Sequence, residues 1–206
     1  MRKITLLLAV LFSAVFSGSA ADDLRALTEK LASSRVSFTY AYEAVRDGIV
    51  MKGSGTAMLQ GEAFRMEGNG LEIVSDGKVR WTADSETREL FIEPVDAAAA
   101  DFVSNPARLL ADIGKAFSFT GSKPVTFRGH ATEGYVLEPV VRDSGIRQLV
   151  LCLSGQTLVG ASVTVKDGTV TEFLLSDMVF SAPGPADDFR FDEKKTGNGW
   201  VVTDLR

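Results

Sequence analysis

Strand-like runs separated by turn signals fill this chain from Val36 almost to its C-terminus, and only three short stretches read as helix. Val36, Phe38, Tyr40 and Tyr42 alternate with Ser37, Thr39, Ala41 and Glu43, the period of two that belongs to a strand with one apolar face. Asp47-Gly48 marks a hairpin turn into a second strand over 49–60. Gly53 and Gly55 inside that strand imply bending or the close approach of another element. Further strands are predicted at Ala63–Glu67, Leu71–Ser75, Val79–Ala83 and Glu89–Glu93, a meander with turns at Gly68-Asn69-Gly70 and Asp76-Gly77-Lys78. Strands resume at Phe117–Thr120, Val125–Arg128, Tyr135–Glu138, Ile146–Leu153, Leu158–Lys166 and Val170–Phe180, and Phe189–Phe191 and Trp200–Thr203 read as terminal strands or extended segments.

The predicted helices are few. Asp22–Ser34 carries Leu24, Leu27 and Leu31 at helical spacing behind an acidic first turn. Ala97–Val103 is alanine-rich. Asn105-Pro106 supplies a cap and a proline at the first helical position, Leu109, Leu110 and Ile113 an apolar face, and Gly114 a stop. About ten or eleven antiparallel strands are too many for a flat sheet, because strand twist makes a sheet of that width curl or close. The apolar face must also be covered. A mainly β, α+β architecture follows: one strongly curved antiparallel sheet wrapped around the helices, or a two-sheet sandwich.

The N-terminus is expected to direct the chain out of the cytoplasm. Arg2 and Lys3 precede the apolar run Ile4–Phe16, and Ser17-Gly18-Ser19-Ala20-Ala21 offers small residues for cleavage. This is the layout of a secretory signal peptide over 1–21, and the run is shorter than the roughly 20 residues a membrane span needs. No cysteine stands near the cut, so no lipid anchor is expected, and 22–206 forms a single domain. Without Arg2 and Lys3, 20 basic residues face 27 acidic ones, a net charge of −7. An acidic chain without a basic run is a poor partner for nucleic acid or for anionic membrane surfaces. Cys152, the sole cysteine, lies in the apolar run Leu149–Leu153; it reads as a small buried hydrophobe, and no internal disulfide can form.

A search for chemistry returns little. His130 is the only histidine, so no zinc cluster can be built on histidine and cysteine. No nucleophile elbow, Walker loop or dinucleotide fingerprint is present. Asp22-Asp23 and Asp187-Asp188 read as cap and turn residues. No catalytic residue, metal or cofactor is therefore expected, and the chain is not expected to be an enzyme. What remains is apolar: Phe64, Met66, Ile73, Val79 and Trp81 fall at inward-compatible positions of consecutive strands. An ordinary core and a lipid pocket use the same residue types.

The stretch Gly61-Glu62-Ala63-Phe64-Arg65-Met66-Glu67, followed by Leu71-Glu72-Ile73-Val74-Ser75-Asp76-Gly77-Lys78-Val79-Arg80-Trp81, resembles the LolA family, periplasmic carriers of outer-membrane lipoproteins. Asn105-Pro106-Ala107-Arg108-Leu109-Leu110 is similar to the family's proline-led lid helix, and Phe189-Arg190-Phe191 with Trp200–Arg206 to its C-terminal finish. The resemblance runs over nearly the whole mature chain in the same order. It implies an unclosed barrel of about eleven strands capped by short helices over an apolar cavity. On that reading Phe38, Tyr40, Phe64, Met66, Ile73, Val79 and Trp81 line the cavity, Leu109, Leu110 and Ile113 form the lid, and Arg65 contacts the lid or a strand.

The function implied is a monomeric shuttle in the periplasm. It takes acylated lipoproteins from an inner-membrane ATP-driven releasing complex and delivers them to an outer-membrane acceptor. The alternative is a lipid- or lipoprotein-sensing regulatory domain on the same fold. One departure bears on both: the arginine that latches the lid in several family members has Gln60 and Gly61 at its nearest positions here.

Overall fold

The computed structural model describes residues 20–95, 105–141 and 144–206. The predicted signal segment through residue 19 and the predicted 97–103 helix lie outside these residues. The described chain has two α-helices, α1 (Ala20–Ser33) and α2 (Pro106–Ala116). Six strands lie between them: β1 (Arg35–Arg46), β2 (Ile49–Gln60), β3 (Ala63–Gly68), β4 (Leu71–Ser75), β5 (Val79–Asp84) and β6 (Glu89–Pro94). After α2 come β7 (Phe117–Phe127), β8 (His130–Pro139), β9 (Ile146–Ser154), β10 (Thr157–Val165), β11 (Val170–Ser181) and the short β12 (Val201–Asp204).

All twelve strands belong to one sheet, in the order β12-β6-β5-β4-β3-β2-β1-β11-β10-β9-β8-β7. The two-sheet sandwich is therefore not formed. Neither end strand pairs with the other, so the sheet is unclosed. Its curvature follows from the helix contacts. α2 packs on β2 and β3 and also on β7, and α1 reaches β2 and β7. Five strands separate β2 from β7 in the sheet, and only a strongly curled sheet brings both against the same short helix.

Three elements differ from the sequence reading. Phe117–Thr120 and Val125–Arg128, predicted as two strands, are one strand, β7, with a register shift between Phe119 and Gly121. Pro124 is compatible with this because β7 is an edge strand, where a missing N–H removes no ladder bond. β12 runs parallel to β6, so the sheet is not wholly antiparallel. Phe189 ends a 3-10 turn, Ala186–Phe189, and is not in a strand.

The two faces of the sheet also divide differently. Phe64 stands opposite Ser75, Ser75 opposite Arg80, and Arg80 opposite Glu93. The face that carries Phe64 and Met66 therefore continues as Ile73 and Ser75, then Arg80 and Thr82. Val74, Trp81 and Ile92 form the opposite face. Two apolar cores result. The larger unites α1, α2 and one face of the sheet from β3 round to β7; the smaller comprises Val74, Trp81, Ala83, Leu90, Ile92 and Phe191, with Val79 and Trp200 packed against it.

Candidate functional site

The larger core is built by short elements that bury one stripe each. α1 turns Leu24, Leu27 and Leu31 inward. α2 starts at Asn105, whose side chain accepts the Arg108 N–H at 2.8 Å, and Pro106 occupies its first turn, the arrangement its sequence anticipates. Arg108 and Asp112, one turn apart, form an ion pair on its flank. Below it, Phe38, Tyr40, Phe64 and Met66 meet Leu109, Leu110 and Ile113 in one cluster, each no more than 6% exposed. Ile73 packs against this cluster, half-buried.

Val79 and Trp81 do not join them. The hairpin through Asp76-Gly77 sets Ser75 opposite Arg80, so odd positions on β4 share a face with even positions on β5. Trp81 consequently points away from the helices into the smaller core, its Nε1 donating to Glu193 Oε1 at 3.4 Å. The expectation that Val79 and Trp81 line a helix-capped cavity is corrected by this one-residue parity change.

Arg65 also lies on the Trp81 face. Its guanidinium pairs with Glu72 and donates to the carbonyl oxygens of Asp188 and Arg190 at 2.9–3.2 Å. It thus binds the C-terminal segment to the outside of the sheet and makes its contact with a strand, not with α2. Gln60 serves the same segment: its Oε1 accepts the Gly184 N–H at 2.8 Å and its Nε2 donates to the Gly184 carbonyl at 3.2 Å. Arg35 adds an ion pair to Asp188 at 2.6 Å.

The helices are tethered lightly by polar groups. Lys115 of α2 reaches Glu62 in the β2–β3 turn at 2.6 Å, both side chains about two-thirds exposed, and hydrogen bonding to Lys115 holds the Glu62 carboxyl below its ordinary range. Exposed pairs of this kind contribute on the order of 0–1 kcal/mol. At the other helix, Tyr135 Oη donates to Asp23 at 3.4 Å. Burial, then the Asp23 charge, pushes that phenol up. Tyr40 is likewise pushed up, by burial and then by Tyr42. The two β2 glycines have their explanation here: a Cβ at Gly53 would lie 2.4 Å from the Tyr42 ring, and one at Gly55 only 2.1 Å from the Glu67 carbonyl oxygen and 2.8 Å from the Tyr40 hydroxyl.

Among the described residues, two clefts open on this framework. The first, about 290 Å³, runs along α1 between the helix and β9–β11. Leu27, Leu153 and Leu158 line it and are at the same time members of the larger core; Met178 and Phe180, half-buried, complete its apolar wall. Asp23, Lys30, Gln156 and Thr157 form its rim. The second cleft, about 390 Å³, lies on the outer face between the β3–β4 hairpin and the C-terminal segment, walled by Phe191, Trp200, Glu67 and Glu72. The sequence reading missed the wall of the first cleft. Its signals were the α1 leucines, read above as the apolar face of a helix, and Val170–Phe180, read above as a strand.

Among the described residues no group of three His, Cys, Asp or Glu side chains is placed to hold a metal. His130 opens β8 and is exposed. Cys152 is buried, and desolvation pushes its thiol up to about 11.

No protein-family model matches the chain, and no curated protein matches it. Among solved structures, it is similar to an uncharacterized conserved protein from Thermus thermophilus, with a TM-score of 0.53 and 14% identity over 91% of this chain and 99% of that one. It is also similar to a LolA superfamily protein from Nitrosomonas europaea (TM-score 0.48, 11% identity, 85% and 99% covered) and to MucB (TM-score 0.46, 18% identity, 86% and 64% covered). At these identities the likeness is one of fold, and the fold is an unclosed, mainly β sheet curled around two short helices.

Proposed function

We propose that this protein is a non-enzymatic, periplasmic lipid-binding carrier that shelters the acyl chains of lipoproteins in transit to the outer membrane. The observation that carries the reading is the continuity of the α1 cleft with the helix-capped core: Leu27, Leu153 and Leu158 belong to both. An acyl chain entering beside α1 therefore meets the interior that the helices cover. The LolA-like motifs at Phe64–Trp81 and Asn105–Leu110 and the signal-peptide layout support the same reading.

Magnitudes favour exchange of a helix for a chain. Burying a sixteen-carbon acyl chain at about 0.8 kcal/mol per methylene is worth roughly 12 kcal/mol. Lifting α1 re-exposes Leu24, Leu27 and Leu31, at about 1.5–3 kcal/mol each, roughly 5–9 kcal/mol in all. The difference binds one chain and still permits release. Three fully sheltered chains would sum to roughly 35 kcal/mol, above the ceiling of about 20 kcal/mol for reversible complexes. The cleft is at the lower end of the about 300–1,000 Å³ typical of ligand pockets, so larger cargo requires α1 or α2 to move.

The test is recovery of the protein from cells producing radiolabelled lipoprotein. Enrichment of label over an unrelated exported protein, followed by transfer of that label to outer-membrane vesicles, is the expected result. Label bound but never transferred would favour the sensing role instead, and no enrichment would overturn both.

A further inference from the structure

The rim of the α1 cleft carries a charge that an acyl-chain site does not need. Lys30, in the last turn of α1, lines the cleft, and its ammonium lies 4.0 Å from the centroid of the Phe180 ring. Its side chain is exposed, and among the described residues no ion pair engages it. The carboxylate that shares the rim, Asp23, stands two helical turns away and accepts from Tyr135. One end of an apolar slot is thus marked by an ammonium with free donors, held at the slot by an aromatic face, and the other by a carboxylate already in use.

We infer that the slot takes an amphiphile with an anionic head, a carboxylate or a phosphate on an acyl tail. The head lies on Lys30 and the tail runs along Leu27, Leu153, Leu158 and Met178. This rests on the proposed acyl-binding reading and adds a ligand class to it, because acyl chains esterified on a lipoprotein carry no anionic head of their own. The charge preference is local: a mature chain with net charge −7 is not drawn to anionic bilayers as surfaces, so the ligand is a single bound molecule. A rim ion pair of this exposure discriminates by about three- to fivefold.

Calorimetric titration of the mature protein below the micelle threshold tests it. The probes are laurate and lauroyl-lysophosphatidylglycerol against dodecanol and lauroyl-lysophosphatidylcholine. The expected result is about three- to fivefold tighter binding of the anionic member of each pair, lost in Lys30→Ala and retained in Lys30→Arg. Preference for one anionic head alone identifies it as carboxylate or phosphate. Equal binding of charged and uncharged probes, or a preference that survives Lys30→Ala, overturns the inference and leaves the apolar site standing. Failure of all four probes to bind overturns both. Lys30 is exposed, so an unchanged melting temperature separates loss of preference from loss of fold.

Discussion

Leu27 and Leu31 stand one turn apart on α1, buried to 7% and 2% exposure, yet only Leu27 lines the cleft. Truncating each to alanine therefore separates a leucine beside a binding slot from a leucine in closed core. Either change forfeits about three methylene equivalents of transfer, roughly 2.4 kcal/mol at about 0.8 kcal/mol each. At Leu31 the vacated volume is sealed, and the cavity term brings the cost to about 3–5 kcal/mol. At Leu27 the vacated volume joins a space of about 290 Å³ that already opens to solvent, so the cavity term largely drops out and the cost stays near about 2–3 kcal/mol. Urea unfolding with linear extrapolation measures both. Titration with laurate completes the comparison: Leu27→Ala widens the slot and is expected to bind about fourfold tighter per additional methylene accommodated, whereas Leu31→Ala binds unchanged. Equal destabilisation by the two changes, with laurate affinity unaffected by either, would refute the continuity of cleft and core.

The two faces of the sheet are expected to respond independently. Trp81→Ala, in the smaller core, should destabilise by about 3–5 kcal/mol while leaving laurate affinity unchanged when measured well below the melting temperature; a binding defect would return Trp81 to the acyl site. Arg65→Met should lower stability by about 1–3 kcal/mol, discounted for the partial exposure of the Arg65–Glu72 pair, and should make the chain beyond Gly184 the first site of limited proteolysis. Cys152 should resist thiol reagents at neutral pH and react at the rate of unfolding. Its folded thiol, at about 11, is raised above the ordinary 9.0. The associated stability is fully present below pH 9.0 and is lost as pH rises from there through about 11, and urea midpoints of wild type and Cys152→Ala across that range should converge.

Much of the architecture was legible because each strand carries its own punctuation. Asp47-Gly48 and Asp76-Gly77 sit where hairpins are required, with Asp47, Gly48 and Gly77 at positive φ. β2, β4 and α1 fall within two residues of their predicted limits. Curvature was legible from strand number against helix number. What failed was information that no single segment contains. Residue spacing cannot say whether a turn preserves or inverts parity, so Trp81 was placed beside Phe64 although the hairpin puts it across the sheet. The carbonyl partners of Arg65, at Asp188 and Arg190, lie more than a hundred residues along the chain, beyond any local pattern. Phe117–Thr120 and Val125–Arg128 read as two strands although they are one, because a proline on an edge strand, Pro124, removes no ladder bond and the edge position of β7 is not visible in the sequence. The cleft wall at Met178 and Phe180 lies beyond a bulge at Asp177, where the inward positions of β11 switch from odd (Phe173, Leu175) to even, so an unbroken period of two places both residues on the outer face.

The most direct measurement is a photocrosslinking map with a diazirine-bearing fatty acid, read by peptide mass spectrometry. Adducts concentrated on the α1 cleft, at Leu27, Leu153, Leu158, Met178 and Phe180, and competed away by unlabelled lipoprotein, are the expected result. Adducts confined to the outer cleft at Phe191 and Trp200, or none above an unrelated exported protein, would contradict an acyl site beneath α1.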